Sequence, residues 1–316
     1  MTRRVALARL GIVGGGIAVG GCSVAARMGA PVSPAPAFAD IDLTLGGVRV
    51  RSVRTGAVAV KQAHRALLGP AATRLPSIVF DPRWTAWMPN TAWLVEHPDR
   101  TILVDAGETP RVHTPDYFAC DAASAFVYER LLRFDVPRGV ADGLTALGVP
   151  SDAVDAVVMT HFHSDHAGGL GDIGDAEVLA SRTSTERPAP GSLPCRWPPG
   201  FAPTALDYTD GAFGAFAASH ALVPDGSIRA VPTPGHTRGH QSVLITDGAR
   251  WVCLAGDASF DRAQVERDQV AGICDDVPMA HRTLAVLREQ LGALTVYLAS
   301  HDPAPDLSPL RAAASP

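Results

Sequence analysis

Several features that would assign a chain to a common functional class are missing from this sequence of 316 residues. No run of lysine or arginine interleaved with aromatic residues occurs, and the formal net charge is −5, so nucleic acid is not expected as a partner. No G-x-S-x-G sequence is present, and a serine nucleophile of that kind is therefore not expected. The chain also contains no short repeat and no low-complexity segment in its central part. Any chemistry must come from a different set of side chains.

Cysteine is scarce, with five residues in the chain. Four of them lie in its main part and lack the spacing of a zinc knuckle: Cys120, Cys195, Cys253 and Cys274. Cys253 stands within an apolar run and is predicted to be a buried thiol. Spacing alone assigns no disulfide among the four.

The first 22 residues are predicted to be an export signal and not part of the fold. Arg3 and Arg4 precede a glycine-rich apolar stretch, 5–20, that is too short and too interrupted for a permanent membrane-spanning helix. Small residues then precede Cys22, which resembles the lipobox of bacterial lipoproteins, where the cysteine carries the lipid. The chain is therefore predicted to be exported in a bacterium, either to the periplasm or as a lipoprotein tethered to the membrane through Cys22. The alternative is an ordinary signal peptide.

The rest of the chain is predicted to comprise a tether and one domain. Residues 23–40 contain three prolines among alanine and serine, a composition typical of a tether. The length of 316 residues alone would suggest about two domains in the chain. One domain over 41–316 is predicted instead, because candidate site residues are drawn from 161 through 301.

Hydrophobic patterning predicts several elements of that domain. Alternation predicts a strand over 48–60, and residues 181–203, rich in Pro, Ser and Gly, are predicted to form a long loop. Turn residues between apolar runs predict three hairpins: 91–105, 221–230 and 242–254. Helical spacing of apolar residues predicts two helices: 140–147 and 280–291. Mixed sheet with helices outside it is therefore expected.

The most informative stretch is the run from His161 to His166, which holds three histidines and one aspartate. The apolar segment 153–159 precedes it and is predicted to be a buried strand. Because alternate residues of an extended segment point the same way, His161 and His163 can share one metal ion. The chain must then turn, so that Asp165 and His166 can reach a second ion beside the first. Imidazole and carboxylate are both zinc ligands.

Three further candidate ligands, each at the end of an apolar or β-like run, could complete two metal shells: His236, Asp257 and His301. Taken singly, each could be an unrelated polar residue at the start of a loop. Together with the first cluster, they make coincidence improbable and predict a site for two metal ions. The pair Gly168-Gly169 is expected to let the backbone leave the turn without steric strain. Other histidines are assigned no part in the site: His64, His97, His113, His220 and His281.

These residues resemble the signature of the metallo-β-lactamase superfamily, H-x-H-x-D-H followed by His, Asp and His. The ligand spacings and the segment 233–242 are most similar to the N-acyl homoserine lactonase branch. Residues 102–107 match the early strand and Asp-Gly turn of the superfamily. The resemblance covers roughly residues 48 to 303. It implies an α+β fold, an αββα sandwich of two mixed β-sheets flanked by helices.

The resemblance also implies a cofactor of two Zn²⁺ ions per chain and a ligand set. One ion is given to His161, His163 and His236, and the other to Asp165, His166 and His301, with Asp257 bridging and His240 structural. The implied enzyme is a dinuclear zinc hydrolase, in which a metal-bridging hydroxide opens a lactone or a related ester of small size. Asp165 and Asp257 are the implied catalytic residues, the first steering water and the second setting the separation of the metals.

One position departs from the lactonase pattern. Many lactonases of this branch carry a tyrosine three residues after the bridging aspartate, where it helps to polarise the substrate carbonyl. This chain has Phe260 there, and phenylalanine cannot donate a hydrogen bond. A phosphotriesterase-like hydrolase is therefore kept as the alternative function, with a β-lactamase ranked below it. A tethered zinc-binding protein without catalysis is a further alternative.

The turn-rich segment 81–90 allows two interpretations. It contains two tryptophans and one methionine, which either pack into the core or form an apolar wall over the metal pocket. In the second interpretation the pocket is lined by Trp84, Trp87, Met88 and Phe260.

Overall fold

The computed structural model describes residues 34–115, 117–292 and 295–311. The predicted export signal, Cys22 and most of the predicted tether lie outside these residues. The strands are β1 Asp42–Leu45, β2 Val48–Val60, β3 Met88–His97, β4 Arg100–Val104, β5 Leu132–Asp135, β6 Ala156–Val158, β7 Glu177–Ser181, β8 Thr204–Leu206, β9 His220–Ala221, β10 Ile228–Pro232, β11 Gln241–Thr246, β12 Trp251–Gly256 and β13 Thr295–Ala299.

Helices connect and flank these strands. They are α1 Gln62–Arg65, α2 Arg74–Phe80, α3 Ala122–Leu131, α4 Val140–Ala146, α5 Ser164–Ala167, α6 Arg182–Glu186, α7 Arg262–Glu266, α8 Val277–Gln290 and α9 Ser308–Arg311. Short 3₁₀ helices cover Ala71–Thr73, Pro110–His113, Ser151–Ala153, Leu170–Asp172 and Pro194–Arg196. Within the described residues, no helix has the length and apolar character that crossing a membrane requires.

The strands form two mixed sheets. The first has eight strands in the order β1-β2-β3-β4-β6-β7-β8, with β5 paired to β2, and its strands β4, β6, β7 and β8 run parallel. The second has the order β13-β12-β11-β10-β9, with only β12 and β13 parallel among its described pairs. The predicted α+β fold of two mixed sheets with flanking helices is confirmed.

The core lies in layers on both sides of each sheet. Val50 and Ile102 of the first sheet pack in one cluster with Ile245 and Leu254 of the second, which places this apolar layer between the sheets. On the outer face of the first sheet, helix α4 contributes Val140 to a second cluster. Helix α8 covers the outer face of the second sheet through residues such as Leu284 and Leu287. These two helices therefore each bury an apolar face against a sheet, as the sandwich requires.

Most predicted elements are confirmed. The strand predicted over 48–60 is β2 with the same bounds, and the three hairpins are β3–β4, β9–β10 and β11–β12. The helix predicted from residue 280 is α8, which begins three residues earlier, at Val277. The carboxylate of Asp276 accepts a hydrogen bond from the N–H of Met279 at 2.9 Å and caps the first turn.

The predicted long loop over 181–203 is only partly correct. Helix α6 and the 3₁₀ helix Pro194–Arg196 interrupt it. The Ser181 hydroxyl accepts a hydrogen bond from the N–H of Ser184 at 3.1 Å and starts α6 by a local cap, which hydrophobic periodicity does not reveal. A disulfide between Cys120 and Cys195 ties the segment to the start of α3, a pairing that the spacing had left open.

Candidate metal centre and substrate cavity

The predicted metal ligands all follow strands that end at one edge of the sandwich. His161 follows β6, and His236 follows β10. Asp257 comes directly after β12, and His301 lies two residues beyond β13. The structure brings the ligand atoms of these loops together with those of α5, which carries Asp165 and His166.

Three imidazoles converge on one point. The Nε2 atom of His161 lies 3.0 Å from Nδ1 of His163, and Nε2 of His236 lies 2.9 Å from the same atom. One ligand atom from each residue falls within 4.8 Å of the other two. Such spacing suits ligands that share one ion, because zinc–nitrogen distances are about 2.0–2.1 Å.

A second group forms beside the first and shares a carboxylate with it. Nε2 of His301 lies 3.3 Å from the carboxylate of Asp165, and His166 completes the group. One oxygen of Asp257 lies 3.2 Å from Nε2 of His166 and 3.4 Å from Nε2 of His301. Its other oxygen lies 3.6 Å from Nε2 of His236, in the first group. Asp257 therefore presents one oxygen to each group, as a bridging ligand would.

The outward-facing ring nitrogen of each of these five histidines meets an oxygen acceptor at 2.8 to 3.2 Å. The acceptors are the Thr160 hydroxyl for His161, Pro190 O for His163, the Asp105 carboxylate for His166, Ile273 O for His236 and Pro89 O for His301. Each such nitrogen donates its proton outward, so in a neutral ring the other nitrogen turns a lone pair towards the cluster. Converging lone pairs repel one another unless a cation lies between them.

Two buried atoms without hydrogen-bond partners also favour a cation within the cluster. Nε2 of His166 and Oδ1 of Asp257 are buried and have no hydrogen-bond partner within the described part of the chain, although they lie 3.2 Å apart. Nδ1 of His166 already donates to Asp105, so a neutral His166 has no second proton to offer Asp257. The donor set thus fits metal ions of the zinc type.

Charge in the cluster also favours cations. Burial lowers the pKa values of His161 and His236 well below their usual range, which keeps both rings neutral and able to bind a metal. Burial also opposes the charged form of His301, but the carboxylates of Asp257 and Asp165 outweigh it and raise the pKa of His301 to about 10. The two buried carboxylates therefore demand positive charge, which divalent cations would supply.

Asp105, which follows β4, connects the loop after β6 to helix α5 through hydrogen bonds. Its carboxylate accepts hydrogen bonds from the N–H and the hydroxyl of Thr160 at 2.7 and 2.8 Å, and from Nδ1 of His166 at 2.8 Å. Its backbone has a φ of 62°, a left-handed conformation that aspartate tolerates better than most side chains. The Asp-Gly turn noted in the sequence thus fixes the orientation of His166, a predicted ligand.

His240 stands apart from the cluster in its hydrogen bonding. Its Nε2 accepts from the N–H of Asp257 at 3.0 Å, and its Nδ1 donates to the Thr233 hydroxyl at 2.8 Å. Both ring nitrogens are therefore occupied by groups other than a metal. This arrangement supports the predicted structural role of His240.

Gly168 and Gly169 are needed for a reason other than the expected one. Their φ values, −59° and −86°, are ordinary for any residue. A Cβ at Gly168 would lie 2.2 Å from a carboxylate oxygen of Glu108, and one at Gly169 would lie 2.4 Å from Ala106 O. Close packing of the turn, and not backbone freedom, requires glycine there.

A cavity of about 190 Å³ opens onto the cluster. His163, Asp165, His236, Asp257 and His301 form its polar end. The rest of its wall is largely apolar and includes Val58, Val60, Val127, Leu132, Phe260 and Ile273. A cavity of this kind suits a substrate with one reactive polar group and an apolar remainder.

Only one of the four predicted pocket residues lines this cavity. Phe260 does so, and its ring stacks on His301 with centroids 5.6 Å apart. Trp84, Trp87 and Met88 do not line it and are buried elsewhere, so the apolar wall predicted from them is wrong. The core-packing interpretation of segment 81–90 holds instead.

The two faces of β2 explain this correction. Val58 and Val60 point into the cavity, whereas Ala57 and Ala59 point to the opposite face, where they pack with both tryptophans. Met88 pairs directly with Val58 across the sheet and adds to the cluster behind the cavity wall. Strand pairing, which residue type alone does not reveal, decides which side each residue occupies.

Among the cavity residues that the sequence analysis did not identify, two carry polar aromatic side chains: His64 and Tyr128. His64, on α1, was assigned no role, and Tyr128, on α3, was not considered. The Tyr128 hydroxyl donates to Gly191 O at 2.8 Å and accepts from the N–H of Ser164 at 3.2 Å. Neither residue stands at a recognisable spacing from the ligands, because α1 and α3 reach the cavity only through the tertiary fold.

Comparisons with known proteins agree with this geometry. The sequence profile of the Metallo-beta-lactamase superfamily matches residues 85–301. A protein of Mycobacterium bovis, described as a probable metallo-hydrolase, is 33% identical over 187 residues, which are 55% of this chain and 57% of that protein. The chain thus spans little more than half the length of that relative. The N-acyl homoserine lactonase AttM of Rhizobium johnstonii is 27% identical over 239 residues, covering 69% of this chain and 83% of AttM.

A solved structure shows the same fold. It is an N-acyl homoserine lactone hydrolase with the product N-hexanoyl-L-homoserine bound at its catalytic metal centre. The TM-score is 0.63 at 20% identity, over 83% of this chain and 95% of that one.

Proposed function

Because the chain belongs to the metallo-β-lactamase superfamily, we propose that it is a dinuclear zinc hydrolase that opens a lactone or a related ester. The observation that carries the proposal is the pair of ligand groups that share Asp257 at the polar end of an apolar cavity. The similarity to AttM, a lactonase, supports the choice of a lactone over other esters.

The residues of this chain would each have a distinct task in the reaction. When bound, two zinc ions lower the pKa of water towards neutrality and polarise the carbonyl of the substrate. Asp257, with one oxygen towards each ligand group, sets the distance between the two positions. Asp165 lines the cavity and can accept a hydrogen bond from the attacking water, which orients it. The apolar wall, including Leu132 and Ile273, receives an acyl chain and keeps bulk water away.

A phosphotriesterase-like hydrolase is the second candidate function. It is favoured by Phe260, which places an apolar ring against His301 where a lactonase of this branch would present a hydroxyl. A phosphotriester with an apolar leaving group needs no hydrogen bond from that position.

Turnover of a lactone panel against a phosphotriester panel, with metal content measured on the same sample, tests the proposal. We expect lactone hydrolysis and about two zinc ions per chain, because the seven candidate ligands lie in overlapping groups of three and are too many for one four-coordinate zinc ion. Full activity with about one ion per chain would contradict the dinuclear mechanism. Turnover confined to phosphotriesters would transfer the assignment to the second candidate.

Phe260→Tyr separates the two candidates. If the cavity binds lactones, the new hydroxyl can donate to the developing oxyanion, and kcat should rise by about tenfold or more when the geometry is right. Phosphotriester turnover should stay unchanged or fall, since the apolar surface is lost. Steady-state kinetics on both substrates, with metal content as the control, measure the effect. No gain on any lactone, together with strong wild-type phosphotriester turnover, would favour the second candidate.

We also propose that the chain is exported and anchored through a lipid on Cys22. The disulfide between Cys120 and Cys195 supports export, because structural disulfides are typical of oxidising compartments. Cys22→Ser is expected to abolish lipid attachment and to release a soluble or unprocessed form, measured by membrane fractionation and mass spectrometry. Ser23→Ala is the matched control. A membrane fraction unchanged by Cys22→Ser would rule out the lipobox.

A further inference from the structure

We propose that the exposed face of helix α2, together with the loop before it, is a docking surface for a phospholipid bilayer. The inference goes beyond the proposed hydrolase function, because it assigns a partner to a surface outside the cavity. Docking there would hold the cavity wall beside the membrane to which a lipid on Cys22 would tether the chain.

Exposed large apolar side chains are concentrated at this surface. Four large hydrophobic residues are exposed within the described part of the chain, and three of them lie between residues 66 and 80. Leu68 is 46% exposed, Leu75 is 53% exposed and Phe80 is 70% exposed. Single exposed apolar residues are common, whereas a group of them on one surface marks an interaction site.

The outward side of α2 is apolar along its whole length. Consecutive helical residues are rotated by about 100°. One continuous outward arc therefore holds four apolar residues: Leu75, Val79, Pro76 and Phe80. Ile78 points to the other side and is buried. A surface helix of a globular protein usually carries polar or charged residues on its outward side, so this helix has the pattern of one that is covered on both sides.

The same surface carries no acidic group that a membrane would repel. Arg74 is the one charged residue between positions 66 and 80. Its guanidinium donates to the carbonyl oxygens of Ala71 and Cys274, both at 3.4 Å, and it forms no ion pair within the described residues. Arg74 can therefore meet a lipid phosphate while the apolar side chains of α2 enter the boundary between headgroups and acyl chains.

The predicted lipid anchor approaches the domain on the side where α2 ends. Ala35, near the start of the described chain, packs against the cluster that contains Trp84. Trp84 follows Phe80 by four positions, so their Cα atoms are at most about 14 Å apart. Ala35 follows Cys22 by 13 positions, a length of chain that spans at most about 45 Å. A lipid on Cys22 would thus hold α2 within reach of the bilayer.

This docking surface also adjoins the cavity. Ile78, on the inner side of α2, packs in one cluster with Val60 and Phe260, which line the cavity. The N–H of Leu67 donates to Val270 O at 2.8 Å and ties the loop before α2 to the segment that leads to the cavity wall. Docking through α2 would therefore bring the cavity close to the bilayer, where apolar substrates concentrate.

The test is binding of phosphatidylcholine vesicles, measured by flotation, to the full-length chain carrying Cys22→Ser. In this parent protein no lipid anchor contributes, and residues 1–33 are otherwise common to every variant. Phe80→Glu and Leu75→Glu should each raise the dissociation constant for lipid about tenfold, because each removes apolar surface from the contact and adds a charge. Phe80→Leu keeps an apolar side chain and should stay within about threefold of the parent.

Ala249→Glu is the control for the added charge. Ala249 is exposed in the turn between β11 and β12, at the opposite end of β12 from Asp257. This variant should bind vesicles as the parent does. Thermal unfolding should be unchanged in every variant, because the replaced side chains are exposed.

Vesicle binding that is absent in the parent, or equal in the parent and both α2 glutamate variants, would overturn the proposal, as would an equal loss in Ala249→Glu. Sedimentation without lipid tests whether a second copy of the chain covers the surface instead. A dimer that Phe80→Glu dissociates, with vesicle binding unchanged, would assign the surface to self-association. The measurement needs no turnover and no lipid on Cys22, so it decides the role of α2 even if the proposed hydrolase function or the proposed lipid attachment fails.

Discussion

Asp257→Ala is expected to remove most of the bound metal and to lower kcat/KM by more than about a hundredfold. That figure is the upper loss typical of a residue that only supports a ligand, and Asp257 is itself proposed to bind both ions. Its two oxygens lie towards His166 and His301 on one side and towards His236 on the other. Elemental analysis and steady-state kinetics of the purified variant measure the two effects.

His240→Ala is the control for this prediction. His240 is buried and contacts the backbone of Asp257, but both of its ring nitrogens are occupied outside the cluster. Its loss should lower stability while leaving most of the metal bound. If the two variants lose metal and activity to the same extent, the distinction between ligand and structural histidine is wrong.

Replacing both Cys120 and Cys195 with serine is expected to lower the free energy of unfolding by about 2–5 kcal/mol. The disulfide joins residues 75 positions apart, so it restricts the unfolded chain strongly. It also ties the start of α3, with Asp121 on the cavity wall, to the segment that contributes Gly191. We therefore expect KM to rise as well, because the wall loses a fixed link.

Chemical denaturation with and without reductant measures this effect and contains its own control. Reductant should move the wild-type midpoint to that of the double-serine variant and should leave the variant unchanged. The remaining described cysteines, Cys253 and Cys274, are buried and unpaired, so they offer no second bond to reduce. A reductant effect of equal size on both proteins would contradict the prediction.

The predictions from sequence that agree with the structure depend on short-range geometry. Strand β2 and the three hairpins follow from period-two alternation and turn residues, which act over a few positions. The run from His161 to His166 follows from the same kind of local rule, since alternate residues of an extended segment face one way. The prediction that Cys253 is a buried thiol also agrees, because it stands in the apolar run of β12.

The predictions that failed depended on which face of an element meets which neighbour. Trp84 and Trp87 are of a residue type that is common in pocket walls, but they pack on the face of β2 opposite the cavity. No feature of the sequence distinguishes His64 from other isolated histidines. Hydrogen bonds from the N–H groups of Gly272 and Ile273 to its carbonyl place it in the cavity wall. Gly168 was assigned to a turn for its freedom, whereas the approach of the Glu108 side chain is what excludes a larger residue.

The sequence by itself determined the candidate ligands, because strand ends and their polar residues are encoded by local pattern. Its resemblance to the superfamily then implied the two-sheet fold. The tertiary structure decided the rest: that Asp257 faces both ligand groups, that Cys120 pairs with Cys195, and that His64 completes the cavity wall. These outcomes depend on contacts between segments far apart in the chain. Such contacts arise from the packing of two sheets and their helices, and no short run of residues specifies them.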